Sequence, residues 1–333
     1  MKTIVAHGPK DLRIEERDVP VPAAGQVLIR LAVGGICGSD LHYYNHGGFG
    51  TVRLKEPMIL GHEVSGHIEA LGPGVSGLKV GQLVAVSPSR PCHACAYCHE
   101  GRQNHCLNMR FYGSAMPFPH IQGAFRELLV ADMAQCAVAD GLDAGQAAMA
   151  EPLSVVLHAA KQAGDLMGRR VLVTGCGPIG MLAVLVARTA GAIEVVATDI
   201  APFTLEMAGK IGADQALNVG KHPDALAAFT DNKGHFDVLF ECSGVAAALA
   251  SAIPAMRPGG VIVQLGLGGD MTLPVQAMTA KELQLRGSFR FHAEFFEAVD
   301  MMRRGRLDVR PLITQTVPLS QAIAAFNIAS DRS

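Results

Sequence analysis

Two rhythms of apolar residues divide the chain. Up to about residue 145 they come in short runs broken by glycine and proline, as in Gln26-Val27-Leu28-Ile29-Arg30-Leu31-Ala32-Val33 and Gln82-Leu83-Val84-Ala85-Val86. That punctuation predicts a compact, irregular β unit. After Glu151-Pro152 the rhythm changes, and Ala- and Leu-rich stretches at helical spacing alternate with apolar β-branched runs. Val171 to Thr174, Glu194 to Thr198, Phe236 to Phe240 and Gly260 to Leu265 are expected to be strands. With helices between them they would form a doubly wound parallel sheet, an α/β architecture whose strands are buried on both faces. Beyond Arg286-Gly287-Ser288-Phe289 the character is mixed again, and this end is expected to rejoin the first unit. The expected organisation is therefore a β unit over 1–150, an α/β unit over 151–290 and a returning segment over 291–333. No internal repeat or low-complexity tract interrupts it.

Composition narrows the class. Of 333 residues 49% are hydrophobic and 17% charged, which excludes a disordered tail or a collagen-like fibre. Lys and Arg number 28 against 30 Asp and Glu, so no basic surplus points to nucleic acid or an anionic membrane as partner. The N-terminus has no apolar core of signal-peptide length before Gly8-Pro9, so secretion by a signal peptide is not expected. Val171 to Ala187 is free of charge, but it is shorter than the ~20 residues of a spanning helix and is interrupted by Gly175, Gly177, Pro178 and Gly180.

Those glycines carry the first chemical signal. The strand Val171 to Thr174 leads into Gly175-Cys176-Gly177-Pro178-Ile179-Gly180 and then into an apolar helical run, the context that a G-x-G-x-x-G dinucleotide loop requires. Gly175 would make the tight turn, Gly177 would let the backbone approach a pyrophosphate, and Gly180 would let helix pack on strand. Asp199 ends the next strand, where a carboxylate can bind ribose hydroxyls and repel a 2′-phosphate, favouring NAD over NADP. No Arg follows within Ile200 to Leu205, although Lys210 lies further on. The plainer reading is an ordinary strand-to-helix turn with a surface Asp.

Eight cysteines form the second signal. Cys92, Cys95, Cys98 and Cys106, spaced C-x2-C-x2-C-x7-C, suit a closed tetrahedral zinc site, with disulfides or an iron–sulfur cluster as lesser alternatives. His93 and His99 between them are expected to be exposed. Cys37, followed by Gly38-Ser39-Asp40-Leu41-His42, and the later pair His62-Glu63 offer a sulfur, an imidazole and a carboxylate. They could hold a catalytic zinc with an open position, or be a buried cysteine and a core histidine. Cys136, Cys176 and Cys242 are expected to be small buried hydrophobes.

In this order the motifs resemble the zinc-dependent medium-chain dehydrogenases. Gly61-His62-Glu63-x2-Gly66-x5-Gly72-x2-Val75 is similar to that family's zinc signature, and Glu151-Pro152-Leu153-Ser154-Val155-Val156-Leu157-His158-Ala159 resembles its sorbitol dehydrogenase branch. The blocks Cys37 to Tyr44, Asn108 to Met116 with Phe118-Pro119-His120, and Arg286 to Phe291 are similar to stretches of sugar-acid dehydrogenases within that branch. The resemblance implies a GroES-like catalytic domain, a Rossmann domain, an active site in the cleft between them, and a homodimer or homotetramer. It places Cys37 and His62 on a catalytic zinc, with Glu63 and Glu151 as competing carboxylates. Ser39 and His42 would relay the hydroxyl proton to solvent. A sugar-acid carboxylate would call for a cation, Arg290 first and Arg110 second, with Tyr43, Phe111, His120 and Phe291 lining the rest. A sorbitol- or xylitol-type polyol substrate is the nearest alternative, and a non-catalytic zinc-stabilised nucleotide-binding protein a distant one. Family members continue past Ser333 into a short apolar strand.

Overall fold

A computed structural model describes residues 1–331. The chain divides into two compact units, Met1–Glu151 with the chain from Phe291 onward, and Pro152–Arg290. The end of the predicted returning segment, residues 332 and 333, lies outside the described residues.

The first unit is built on a five-stranded antiparallel sheet, in the order Leu128–Asp132, Gln26–Gly35, Glu63–Leu71, Leu83–Val86, Cys136–Val138. Its apolar face closes over Val27, Ile29, Val64, Ile68, Val84, Val86 and Leu129, all nearly inaccessible. Each such side chain contributes about 1.5–3 kcal/mol through burial. The Glu63–Leu71 strand is buried at its start and alternates to exposure further on, so its first residues lie in the interior. A smaller sheet of Asp11–Glu16, Lys2–Gly8 and Met58–Ile59 adjoins a second cluster. Chain from the far end completes that cluster. Phe326, on the helix Ala322–Ser330, meets Tyr44 and Phe125 edge-on at ring separations of 5.4 and 6.0 Å, and the Tyr44 hydroxyl donates to Asn327 Oδ1 at 2.8 Å.

The second unit is a six-stranded parallel sheet, ordered Gln215–Asn218, Glu194–Asp199, Arg170–Thr174, Phe236–Glu241, Met256–Gln264, Gln284–Gly287. All four expected strands are present. The two outermost were not expected: as edge strands they carry polar, partly exposed sequences rather than continuous apolar runs. The order reverses between Arg170–Thr174 and Phe236–Glu241, the switch point at which such sheets bind ligands. The uncharged run Val171 to Ala187 becomes a buried strand, a turn and the helix Pro178–Thr189. Among the described residues no helix is long and apolar enough to cross a membrane. Cys136 and Cys176 are buried as expected, whereas Cys242 is only partly so because it lies in the turn beyond its strand.

Candidate active site and metal centres

Cys37 begins the helix Gly38–His46 as its N-cap, with extended backbone. Its N–H donates to Asp40 Oδ2 at 3.1 Å, the fold-back of a third-position acid onto a helix start. The other Asp40 oxygen accepts from the Gly61 N–H at 3.0 Å and lies 3.8 Å from His62 Nδ1. One fully buried carboxylate therefore joins the turn that carries Cys37 to the strand entrance that carries His62 and Glu63. Opposite Glu63 in the ladder is Gly35, where a Cβ would fall 2.2 Å from the Glu63 carboxylate, so only glycine leaves the acid its place.

Cys37, His62 and Glu63 each offer a ligand atom within 4.8 Å of the other two. Burial pushes the Glu63 carboxyl up to about 6. Burial, and then the charges of Glu63, Asp40 and Glu151, hold the Cys37 thiol well above its ordinary range. Several acids that each oppose ionisation of the next, gathered round an imidazole, are what a divalent cation neutralises, and sulfur, nitrogen and oxygen together suit zinc. Ser39 hydrogen-bonds the Cys37 side chain. His42, one helical step on, is half-buried with its ring 5.9 Å from that of Phe49. Glu151 is buried in the first turn of the helix Ala150–Ala163 and lies outside the three-residue group, although its charge reaches Cys37.

Asp40 was not singled out from the sequence. A signal was there, an acid three residues after a potential N-cap, but its link to Gly61 and His62 exists only in the fold. Asp40→Asn should weaken zinc binding at this site by about 10–100-fold, the usual loss when a partner behind a metal ligand is removed. Competition with a chromogenic chelator measures it, and unchanged affinity would contradict it.

The sulfurs of Cys92, Cys95, Cys98 and Cys106 likewise lie within 4.8 Å of one another. The Cys92 and Asn108 N–H groups donate to Cys106 Sγ at 3.1 and 3.4 Å, and Asn108 Nδ2 donates to Cys92 Sγ at 3.7 Å. The Ala94 N–H and the Asn108 amide bring the Cys92 thiol down to about 6, while burial pushes Cys98 up to about 12. Donors aimed at sulfur favour thiolates, the form a metal binds. All eight cysteines are unpaired, and His93 and His99 are exposed as expected.

In the glycine loop a Cβ on Gly180 would lie 1.8 Å from the Gly175 carbonyl oxygen, so the helix can approach its strand only with glycine there. Gly177 caps the helix Pro178–Thr189 and has nothing within 4 Å of its Cβ position, an open cradle over free N–H groups that fits a phosphate. Asp199 accepts from the Cys176 N–H at 2.6 Å and from the Ile200 and Ala201 N–H groups at 2.7 and 2.9 Å. It thus ties the loop to the strand end, and retains acceptor capacity for a ribose hydroxyl.

Several residues expected to line a substrate pocket are engaged internally. Tyr43 is 2% exposed and its hydroxyl accepts from the Ala115 N–H at 3.0 Å; Phe291 is fully buried and stacked on Phe295. The His120 ring accepts from the Lys55 N–H through Nε2 at 2.8 Å and meets the Pro117 carbonyl through Nδ1 at 2.9 Å, so both nitrogens are spent within the chain. Phe111, by contrast, has its ring 5.7 Å from that of His62. Arg110 is exposed, paired across two short strands with Arg90. Arg290 adopts a left-handed conformation, φ 55°, with its guanidinium over the Phe289 ring at 5.0 Å.

A GroES-like unit with clustered Cys, His and Glu side chains, a four-cysteine loop and a Rossmann sheet define a zinc-dependent alcohol and polyol dehydrogenase of the medium-chain family, to which this chain belongs. Residues 23–141 match the alcohol dehydrogenase GroES-like domain and residues 178–304 the zinc-binding dehydrogenase domain. In particular, the chain is 40% identical to the L-idonate 5-dehydrogenase (NAD(P)(+)) of Escherichia coli (strain K12), over 100% of this chain and 96% of that protein. The crystal structure of L-idonate 5-dehydrogenase from E. coli K-12 superposes with a TM-score of 0.95, covering 100% of this chain and 95% of that one. Human sorbitol dehydrogenase is 37% identical over 97% of this chain and 91% of its own length. Zinc and a nicotinamide cofactor accompany the family.

Proposed function

We propose that this enzyme oxidises a secondary alcohol of a sugar acid, L-idonate to 5-keto-D-gluconate, using NAD in preference to NADP. One observation carries the dehydrogenase reading at this site: Cys37, His62 and Glu63 converge as a buried ligand set in a chain 40% identical to an L-idonate 5-dehydrogenase. Asp199 beside the glycine loop, with no Arg close after it, supports the NAD preference.

Met1–Glu151 with the returning chain is then the catalytic domain, and Pro152–Arg290 the cofactor domain. Cys37 and His62 would hold the catalytic zinc, with Glu63 or Glu151 supplying the carboxylate, and the four cysteines would hold a structural zinc. When bound, zinc would supply the Lewis acidity that makes a substrate hydroxyl acidic near neutral pH, and a nicotinamide would supply the hydride acceptor. Ser39 would take the hydroxyl proton as it passes its own to His42, one helical step on, which would release it to water. Phe111 walls the site beside His62. Arg290 holds the sugar-acid carboxylate, with Arg110 as the second candidate. The exposed edge strand Gln284–Gly287, with Leu285 42% exposed, would pair with a second copy in a homodimer or homotetramer. Eight unpaired thiols fit a reducing, cytoplasmic setting.

The test is NADH formation from L-idonate, D-gluconate, sorbitol and xylitol. L-Idonate should give the highest kcat/KM, and no turnover of it would move the assignment to polyols. Arg290→Ala should raise KM for L-idonate by about tenfold or more and leave that for sorbitol within about twofold, since only the acid has a charge to lose. Equal changes on both would remove the carboxylate role.

A further inference from the structure

Glu241, the last residue of the strand Phe236–Glu241, is a fully buried acid that the reactions above do not use. Its Oε1 accepts from the Ser243 N–H at 3.0 Å, from Thr174 Oγ1 at 3.3 Å and from the Ser243 hydroxyl. Its Oε2 accepts from the Gly244 N–H at 3.0 Å and from Gln264 Nε2 at 2.6 Å. The main chain repeats the pattern, for the Leu265 and Gly266 N–H groups donate to the Glu241 carbonyl at 2.9 and 2.8 Å. Thr174, Glu241 and Gln264 end three neighbouring strands, and the first two flank the point where the strand order reverses. Burying a carboxylate is costly unless donors compensate it, and here five donors converge from three strand ends.

The location gives this knot a use. The glycine loop and Asp199 assign the adenosine half of a dinucleotide to strands Arg170–Thr174 and Glu194–Asp199. The nicotinamide half then falls to strands Phe236–Glu241 and Met256–Gln264 and the loops that leave them. Those are the loops Glu241 holds, and they are closely stacked: a Cβ on Gly268 would lie 1.6 Å from the Gly244 carbonyl oxygen.

We propose that Glu241 is a positioning residue of the cofactor site, fixing the Cys242–Gly244 and Leu265–Gly268 loops at the spacing that receives the nicotinamide half of the dinucleotide. The proposal rests on the nicotinamide-cofactor reading above. Glutamine is a poor substitute, because its amide NH2 would face the Gly244 N–H and the Gln264 amide, or the Ser243 N–H. The Gln264 amide can turn its oxygen inward, but the backbone N–H of Gly244 or of Ser243 cannot become an acceptor, so the loops must separate.

The experiment compares two ligands on the zinc-loaded, full-length enzyme. NADH spans both halves of the site, whereas ADP-ribose lacks the nicotinamide. The chain has no tryptophan, so NADH emission can be titrated directly, with calorimetry for ADP-ribose. Glu241→Gln should raise the Kd for NADH by about tenfold and leave that for ADP-ribose within about twofold, as expected when buried donors lose their acceptor on one side of the site only. Gln264→Leu, at a half-buried position, should act in the same direction by about threefold. It decides the question if Glu241→Gln does not fold. Equal weakening of both ligands, or of neither, would overturn the proposal, since a merely structural role would not separate them. Failure of the unaltered enzyme to bind either ligand would instead overturn the cofactor reading, and this proposal with it.

Discussion

Cys37→Ala is expected to lower kcat/KM by about a thousandfold or more, because several kcal/mol of charge stabilisation disappear with the metal. With one zinc at each of the two proposed sites, zinc content should fall from two ions per chain to one. The substitution removes the only sulfur from the Cys37, His62 and Glu63 group and leaves the four-thiolate loop intact. It also leaves Asp40 bonded to the backbone N–H groups of residues 37 and 61, so the helix start and strand entrance should keep their places. Metal analysis by atomic emission, a steady-state assay and circular dichroism together test this. Activity within about tenfold of the unaltered enzyme, or an unchanged zinc count, would refute the assignment of Cys37 as a ligand.

Cys98→Ser should show the converse pattern. Cys98 and Cys106 are each 7% exposed in a segment whose helices are only a few residues long, so the proposed structural zinc would take the place of a hydrophobic core. Structural zinc in small domains is worth about 10–16 kcal/mol, comparable with the whole stability of a folded domain, so even partial loss should be conspicuous. Several kcal/mol lost from a unit of this size corresponds to a fall in Tm of roughly 10 °C or more. The zinc count should again fall by one, but the protein that remains folded at low temperature should keep its dehydrogenase activity. An unchanged Tm with one zinc missing would show that the loop does not depend on its metal.

What could be read in the sequence follows from how local each signal is. The strand Val171 to Thr174 and its glycine loop are contiguous, so run, turn and helix start are visible together. The edge strands Gln215–Asn218 and Gln284–Gly287 were missed because their pairing comes from neighbours rather than from their own hydrophobicity. Cys37, His62 and Glu63 were found by residue type, and the ladder pairing of Gly35 with Glu63 brings them together. Asp40 and Glu241 were passed over, since each acts by linking segments distant in sequence. The same limit explains Tyr43, His120 and Phe291. Side-chain chemistry marked them as plausible pocket walls, but only the fold shows their polar atoms and faces already committed to the chain itself.

The return of the chain to its first unit bears on the order in which the protein can be made. Tyr44 and Phe125 wait for Phe326, and Asn45 for Ser330, whose hydroxyl it reaches at 3.1 Å. The unit synthesised first is therefore finished last. The parallel sheet between Pro152 and Arg290 is uninterrupted and can close while the ribosome is still working. Until Phe326 emerges, the half-built β unit displays the apolar faces of Tyr44 and Phe125, the kind of transient exposure that makes a nascent chain prone to aggregate.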